Sequence, residues 1–462
     1  MKLSERPITL KKSQHSIDKL FLPKNYIDQL KQLNPFPNQL SFGSKITDIE
    51  IAAHDDPFTC ELSANIWKTL SLPFEANVHL YAKDEVLHIG PLIGIFTAGF
   101  TSSKQRPVAD RSLMFAQYLT AAEKMGGYFF LFGSHVIDWD NGTISGYFYT
   151  KTGWEQFDVP FPHVVYNRIP NRKAEQLPIL QKIKENMQNH YFIPWFNSGF
   201  FNKWTIYEKL RQDERVNHCL PETVINPSLE KIEAMLHEYK HIYVKPANGS
   251  LGIGIHHIIR REKDGMFYCR FKDQNENKII IKRYPTIKQL VDAHFLPSER
   301  YNLVVQQGVS LLKINNRSLD FRIHTNKNIH GQWKISAMAA KISAYNQLTT
   351  HIANGGSVKS IDELIQENRL FEPYIEKLKQ ITLLLSQSLE EKLEGFHGEF
   401  GFDMGVDKNG NIWMFEVNSK PGRAIFIHPK LKKADLETRK LPFEFGTYLT
   451  ETIISKPETV LT

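Results

Sequence analysis

Apolar positions along the chain change rhythm twice. Up to about residue 80 they come in short runs such as KITDIEIA (45–52) and CELSANIWKTL (60–70), which predict brief strands after a polar start. This is a small β-rich module over 1–80. From 81 to 200 apolar strands alternate with a helical pattern in the α/β manner. VHLYAKDEVLHIG runs into PLIGIFT, then come a helix near Arg111–Lys124, YFFLFG, a hairpin around Asn141-Gly142, and HVVYNRI at 163–169. A third region, 201–456, opens with FNKW and a helix over Trp204–Gln212, followed by PETVI and a helix N-capped by Ser228. Strand-like stretches follow: HIYVKPA, GIHHIIRR, MFYCRF, LVVQQGV, LDFRIHT and WKISAMAAKIS. A long amphipathic helix over Tyr374–Glu394, stopped by Gly395, leads into a last ribbon. The pattern is that of a multidomain chain, α/β and α+β, with no internal repeat.

The last ribbon, GFDMGVDKNGNIWMFEVNSKPG (401–422), carries the most specific chemistry. Asn409-Gly410 predicts a two-residue type I′ turn, because both positions need φ > 0. Lys408 then pairs with Asn411, and counting outward sets Asp403 opposite Glu416, with Cβ atoms about 4.5–5.5 Å apart. Asn418 shares their face, while Phe402, Met404 and Val406 oppose Trp413, Phe415 and Val417 on the core face. Two carboxylates that close raise one another's pKa unless a cation lies between them. Mg²⁺ takes oxygen ligands of this kind together with substrate phosphates, and Gly401 and Gly405 are expected to leave room for a nucleotide.

Composition narrows the class. At 462 residues, 41% hydrophobic and 12% aromatic, the chain is globular and too long for one core. A net charge of +7 suits phosphates or acidic substrates, but without a basic run it does not predict nucleic-acid or membrane binding. Cys60, Cys219 and Cys269 are too dispersed for a disulfide framework or a zinc site. The start, MKLSERPITLKKSQHSIDKL, has no apolar signal region, and PLIGIFTAGF is too short to span a bilayer, so a cytoplasmic protein is expected.

Four other segments bear on that chemistry. In HIYVKPANGSLGIGIHHI, Lys245 stands before Asn248, Gly249, Ser250, Gly252 and Gly254, a strand–loop–strand arrangement that could fold over phosphates or be a plain glycine-rich hairpin. YNLVVQQGVSL ends in Gln306, Gln307 and Gly308, a buried strand end or a hinge whose backbone reads an adenine edge. In SLDFRIHTNKN, alternation puts Asp320, Arg322 and His324 on one face; beside a phosphate site Arg322 would clamp a transferring phosphoryl group, and Lys341 could add a cation from a neighbouring strand. Asn354, Gly355 and Gly356 form an anion-binding concavity or a turn.

The order of these parts resembles the ATP-grasp superfamily: lysine before a helix, Lys-Pro with a glycine loop, hinge strand, Asp-Phe-Arg, Gly-Gly, then Asp…Glu-x-Asn-x-x-Pro-Gly. That likeness covers roughly 200–456. A closer resemblance, to the YheC/YheD family of endospore coat-associated proteins, extends upstream through HIGPLIGIFT and VVYNRI. The resemblance implies two lobes gripping ATP, preceded by a smaller α/β domain. It also implies that Lys203 and Lys245 touch phosphates, that Gly249–Gly254 form a lid, and that Gln306–Val309, with Gln307 and Val309 among them, hold adenine. Asp403, Glu416 and Asn418 would bind Mg²⁺ or Mn²⁺, and Arg322 and Lys341 would face the acyl-phosphate. The chain departs from the family pattern at Lys341, where arginine is usual, at His351, where asparagine is frequent, and at Gln307, where glutamate is common. The implied activity is carboxylate–amine or carboxylate–nucleophile ligation on an amino acid or peptide, with spore coat proteins as partners. The alternatives are an ATP-binding coat scaffold without turnover and an ATP-grasp kinase.

Overall fold

The computed structural model describes residues 1–13, 18–247, 254–273, 278–295, 303–344 and 355–460. Asn248, Gly249, Ser250, Gly252, His351 and Asn354 lie outside them.

Four sheets follow one another along the chain. The first has eight strands between Ile8 and Gly90. The second is built on four parallel strands in the order Tyr128–Phe132, Leu92–Phe96, Val164–Asn167, Trp195–Phe196, with antiparallel strands beyond Tyr128–Phe132. Its central strands are buried at every residue, as expected where continuous apolar runs are covered on both faces. One apolar cluster, reaching from Leu10 through Phe96 to Trp195, joins the first two sheets.

The third sheet, here the lysine sheet, is antiparallel. Its order is Thr223–Ile225, Leu303–Gln307, His241–Pro246, His256–Arg260, Phe267–Lys272, Ile279–Tyr284. Helix Leu229–Tyr239 packs on it, and Ser228 caps that helix by accepting from Lys231 N. The fourth, here the hairpin sheet, runs Ser357–Ser360, Trp333–Ile342, Arg317–Lys327, Glu399–Val406, Ile412–Asn418. Helix Glu372–Lys392 backs it, ending two residues short of the expected Glu394. The last helix, Lys432–Ser455, buries Phe443, Phe445 and Leu449 against the second sheet and also runs along two strands of the hairpin sheet, which braces the two together. No helix among the described residues is long and apolar enough to cross a membrane.

Candidate nucleotide and metal site

Asp403 and Glu416 are direct partners across the hairpin ladder, and Gly401 faces Asn418. The route to that register differs from the expected one. The loop holds three residues, Lys408-Asn409-Gly410, closed by Asp407 N donating to Asn411 O and Gly410 N to Asp407 O, each at 3.0 Å. The positive φ falls on Gly410 (+81°) and not on Asn409, which is a type I turn followed by a left-handed glycine, not type I′. The cause is Asp407. Its carboxylate accepts from Asn409 N and Asn411 N at 2.9 Å and from Asn411 Nδ2 and Trp413 Nε1 at 3.0 Å, organising the wider loop.

The extra loop residue shifts the pairing by one, so that Met404 opposes Met414 and Val406 opposes Ile412. A bulge at Phe415 then removes the shift before Asp403 is reached. The two displacements cancel at the acids, but not on the core face. Ile412 and Met414 are buried there in place of the expected Trp413 and Phe415, while Val417, past the bulge, is buried as expected. Gly401 and Gly405 do not leave room for a nucleotide either: a Cβ would meet Pro421 at 2.4 Å on the first and Leu311 and Phe415 at 2.6 Å on the second.

Each acid meets a cation from another strand or helix. Arg322 pairs with Asp403 in register, and Asp320 with Lys341 on the next strand pair. Lys341 Nζ lies 2.7 Å from Asp403 Oδ1 and 3.1 Å from Asp320, and Arg322 Nη1 lies 3.2 Å from Asp403 Oδ2. Burial alone would depress Lys341, but Asp320 and Asp403 hold its pKa above the ordinary lysine value. Glu416 is half-buried and accepts from Lys203 Nζ at 3.0 Å. Lys203 stands in the first turn of helix Lys203–Arg211, which starts one residue earlier than expected because the Asn202 side chain caps it.

Lys245 reaches the same cleft from the lysine sheet. Its ammonium donates to Gln306 Oε1 at 2.7 Å, and Gln306 Nε2 donates to Thr223 Oγ1 at 3.0 Å. Burial, with the charge of Lys203 adding to it, pushes the Lys245 pKa down to about 8. Lys203, Lys245, Gln306 and Glu416 thus line one cleft whose remaining wall is largely apolar, including Ile206, Leu220, Val304 and Met414. That lining suits a mostly apolar ligand face with a few polar anchors.

Other expected positions are arranged differently. Gln307 turns to the sheet edge, where its Oε1 accepts from Glu222 N at 2.9 Å, and its own N–H and that of Gly308 are bonded to Glu222 O and His241 O. Val309 is half-buried just beyond. Gly254 takes a positive φ (+74°) against Pro246. Gly355 and Gly356 lead into Ser357–Ser360, which pairs with the strand end carrying Lys341.

For a divalent cation the donors are two carboxylates on paired positions and the amide of Asn418 two residues along the strand. Oxygen donors of this type fit a hard ion, and the Lys341 and Arg322 contacts favour the ionised Asp403 that it requires. Several supporting residues carried no local signal. Asn197, fully buried, accepts from Gly398 N at 2.8 Å and donates to Ser419 O at 2.7 Å, tying both strand ends of the ribbon. Lys420 is buried against Glu175 at 2.6 Å, and burial lowers its pKa to about 8. Arg168 bonds Glu399 Oε1 at 2.9 Å. These partners lie some two hundred residues apart in sequence, beyond any periodicity or spacing rule.

A family model described as YheC/D like ATP-grasp matches residues 192–449. The endospore coat-associated protein YheD of Bacillus subtilis (strain 168) is 43% identical over 422 residues, covering 90% of this chain and 92% of that protein. YheC of the same organism is 24% identical over 344 residues, covering 71% and 89%. Among solved structures, the D-alanine–D-alanine ligase from Coxiella burnetii is similar with a TM-score of 0.45 at 11% identity, over 80% of this chain and 98% of that one. The Bacillus anthracis enzyme complexed with ATP gives 0.43 at 14% identity, over 78% and 97%.

Proposed function

The chain belongs to the YheC/D-like ATP-grasp family, and from that premise we propose that it is an ATP-dependent ligase joining a carboxylate to an amine or other nucleophile. The observation that carries this reading is the Asp403–Glu416 pair bonded to Lys203, Arg322 and Lys341, with Lys203, Lys245 and Glu416 lining one cleft. Lys203 and Lys245 bring positive charge to the phosphates. The apolar wall beside Gln306 takes the adenine. Mg²⁺ or Mn²⁺ held by Asp403, Glu416 and Asn418 would neutralise charge on the β- and γ-phosphates. Arg322 and Lys341 face the transferred group. The substrate carboxylate oxygen bonds to the γ-phosphorus as the bond to ADP breaks. The nucleophile then adds at the acyl carbon, loses its proton, and phosphate departs. The coat-associated names of the two Bacillus subtilis relatives support a role at the spore coat, and we take an amino acid or peptide as the substrate.

Hydroxylamine trapping tests the reading. The expected outcome is ATP-dependent hydroxamate from at least one carboxylate in an amino acid and peptide panel, abolished in Glu416→Gln. ADP formation without hydroxamate for every carboxylate would favour a kinase, where no free phosphate appears, or an ATPase, where it does.

One observation favours a second reading, an ATP-binding coat scaffold: Asp403 already holds two protein cations. That reading expects tight nucleotide binding with neither phosphate release nor hydroxamate.

A further inference from the structure

A second cluster of charge lies outside the cleft, where the second sheet meets the hairpin sheet. Thr97 and Arg168 stand at the carboxyl ends of the adjacent parallel strands Leu92–Phe96 and Val164–Asn167. The chain leaves the first of these strands toward Tyr128–Phe132 on one side, while Val164–Asn167 flanks it on the other. Such a switch point in an open α/β sheet is where ligands bind. Arg111 donates to Thr97 Oγ1 at 2.9 Å and to Ala98 O, and the charge of Arg168 adds to burial in lowering its pKa. Arg168, Arg423 and Arg439 gather about the Tyr118 ring, at 5.8, 5.3 and 5.6 Å from its centre. The carboxylates bonded to these guanidiniums among the described residues are Glu399 and Asp435, which leaves the cluster positive.

His324 supplies an independent observation. It lies two residues beyond Arg322 on the same strand, is 2% exposed, and its Nε2 has no hydrogen-bond partner among the described residues. Burial and the charges of Arg322, Arg423 and Arg168 keep its imidazole neutral, so its nitrogen can bond a ligand without adding charge. In the tautomer with hydrogen on Nε2, this nitrogen can donate to an anion held by the neighbouring guanidiniums.

We propose that Arg111, Arg168, Arg423 and His324 bind a second carboxylate of the substrate, so that the acyl substrate is a short acidic peptide spanning this cluster and Arg322. The span follows from the register. His324 pairs with Gly401, two residues from Asp403, and Arg168 bonds Glu399, four residues away. At about 3.3 Å per residue these are roughly 7 and 13 Å from the acid pair, the length of about two to four extended residues.

This inference deepens the ligase reading and rests on it, so binding is measured apart from turnover. The probes are the tripeptide Asp-Ala-Ala, its C-terminal amide and succinate, titrated calorimetrically into the full chain with and without a non-hydrolysable ATP analogue. The free acid is expected to bind roughly tenfold or more tighter than the amide and than succinate, the difference expected of one charge-assisted contact. Arg111→Gln and His324→Asn should each shrink the acid–amide gap to less than about threefold while leaving affinity for the ATP analogue unchanged. Arg168→Lys, which keeps a charge beside Glu399, should shrink it in part. Equal binding of acid and amide to the unmodified chain would overturn the proposal, as would a gap that survives Arg111→Gln. A chain that prefers the acid but does not bind the ATP analogue would overturn the ligase reading alone.

Discussion

The hairpin sheet and the lysine sheet contribute opposite kinds of group to one cleft, and they hold them differently. On the hairpin sheet Asp403 is buried and bonded to Lys341 and Arg322, on a strand buried at every residue from Glu399 to Val406. On the lysine sheet Lys245 is desolvated but bonded to a neutral amide, and the edge strand Ile279–Tyr284 is half exposed. One side is electrostatically paired before any ligand arrives; the other holds a cation without a matching acid in hydrogen-bond contact among the described residues. The carboxylates are therefore part of the fold's stability, whereas Lys245 is a cost that the proposed phosphate ligand would relieve.

The sharpest way to break this contrast is Asp403→Ala. Leaving Lys341 and Arg322 buried without it should destabilise the chain by about 3–5 kcal/mol, read from urea unfolding. A loss under about 1 kcal/mol would mean the acid side is no more integrated than an exposed pair. Asn197→Gly comes next. It keeps the positive φ of +55° accessible but strands Gly398 N and Ser419 O, and about 2 kcal/mol is expected, with reduced nucleotide affinity.

The third concerns pH. With Lys245 at about 8, a phosphate ligand must re-protonate it in alkaline buffer, so nucleotide affinity should fall by up to about tenfold per pH unit above 8, with proton uptake visible by calorimetry in two buffers. In folding the sign reverses. The unfolded chain holds this proton more tightly, so between about pH 8 and the ordinary lysine range this group makes stability rise with pH. Smallest is the turn. Gly410→Ala should cost about 1–2 kcal/mol, from its left-handed φ and a Cβ 2.9 Å from Tyr374, and Asn409→Ala less than about 0.5 kcal/mol. Equal costs would restore the two-residue turn.

How far the sequence could be read depends on range. Of the cleft residues, Lys245 and Glu416 were legible locally, from a strand entering a glycine run and from a hairpin count, whereas Gln306 looked like any buried strand end and Lys203 entered only through the family resemblance. The Asp403–Glu416 pairing was legible for an incomplete reason. Counting from a two-residue turn reaches the right partner only because the wider loop and the Phe415 bulge offset each other. The same count misassigned Trp413 and Phe415 to the core, since nothing local announces a bulge. Asn197, Arg168 and Lys420 could not be found this way at all. Their partners Ser419, Glu399 and Glu175 are brought near by tertiary packing, and a lone polar residue in a strand end looks like any other.

Asn197 has a mechanical corollary. Because its amide clasps the base of the ribbon from the end of the second sheet, and the last helix spans both bodies, those two sheets form a single anvil. The lysine sheet has its own core and connects to that anvil through the chain on either side of it, at Leu220–Glu222 and Gly308–Leu312. If a nucleotide binds in the cleft as proposed, a swing of the lysine sheet on those two crossings would open or close it, with the acids as the stationary jaw.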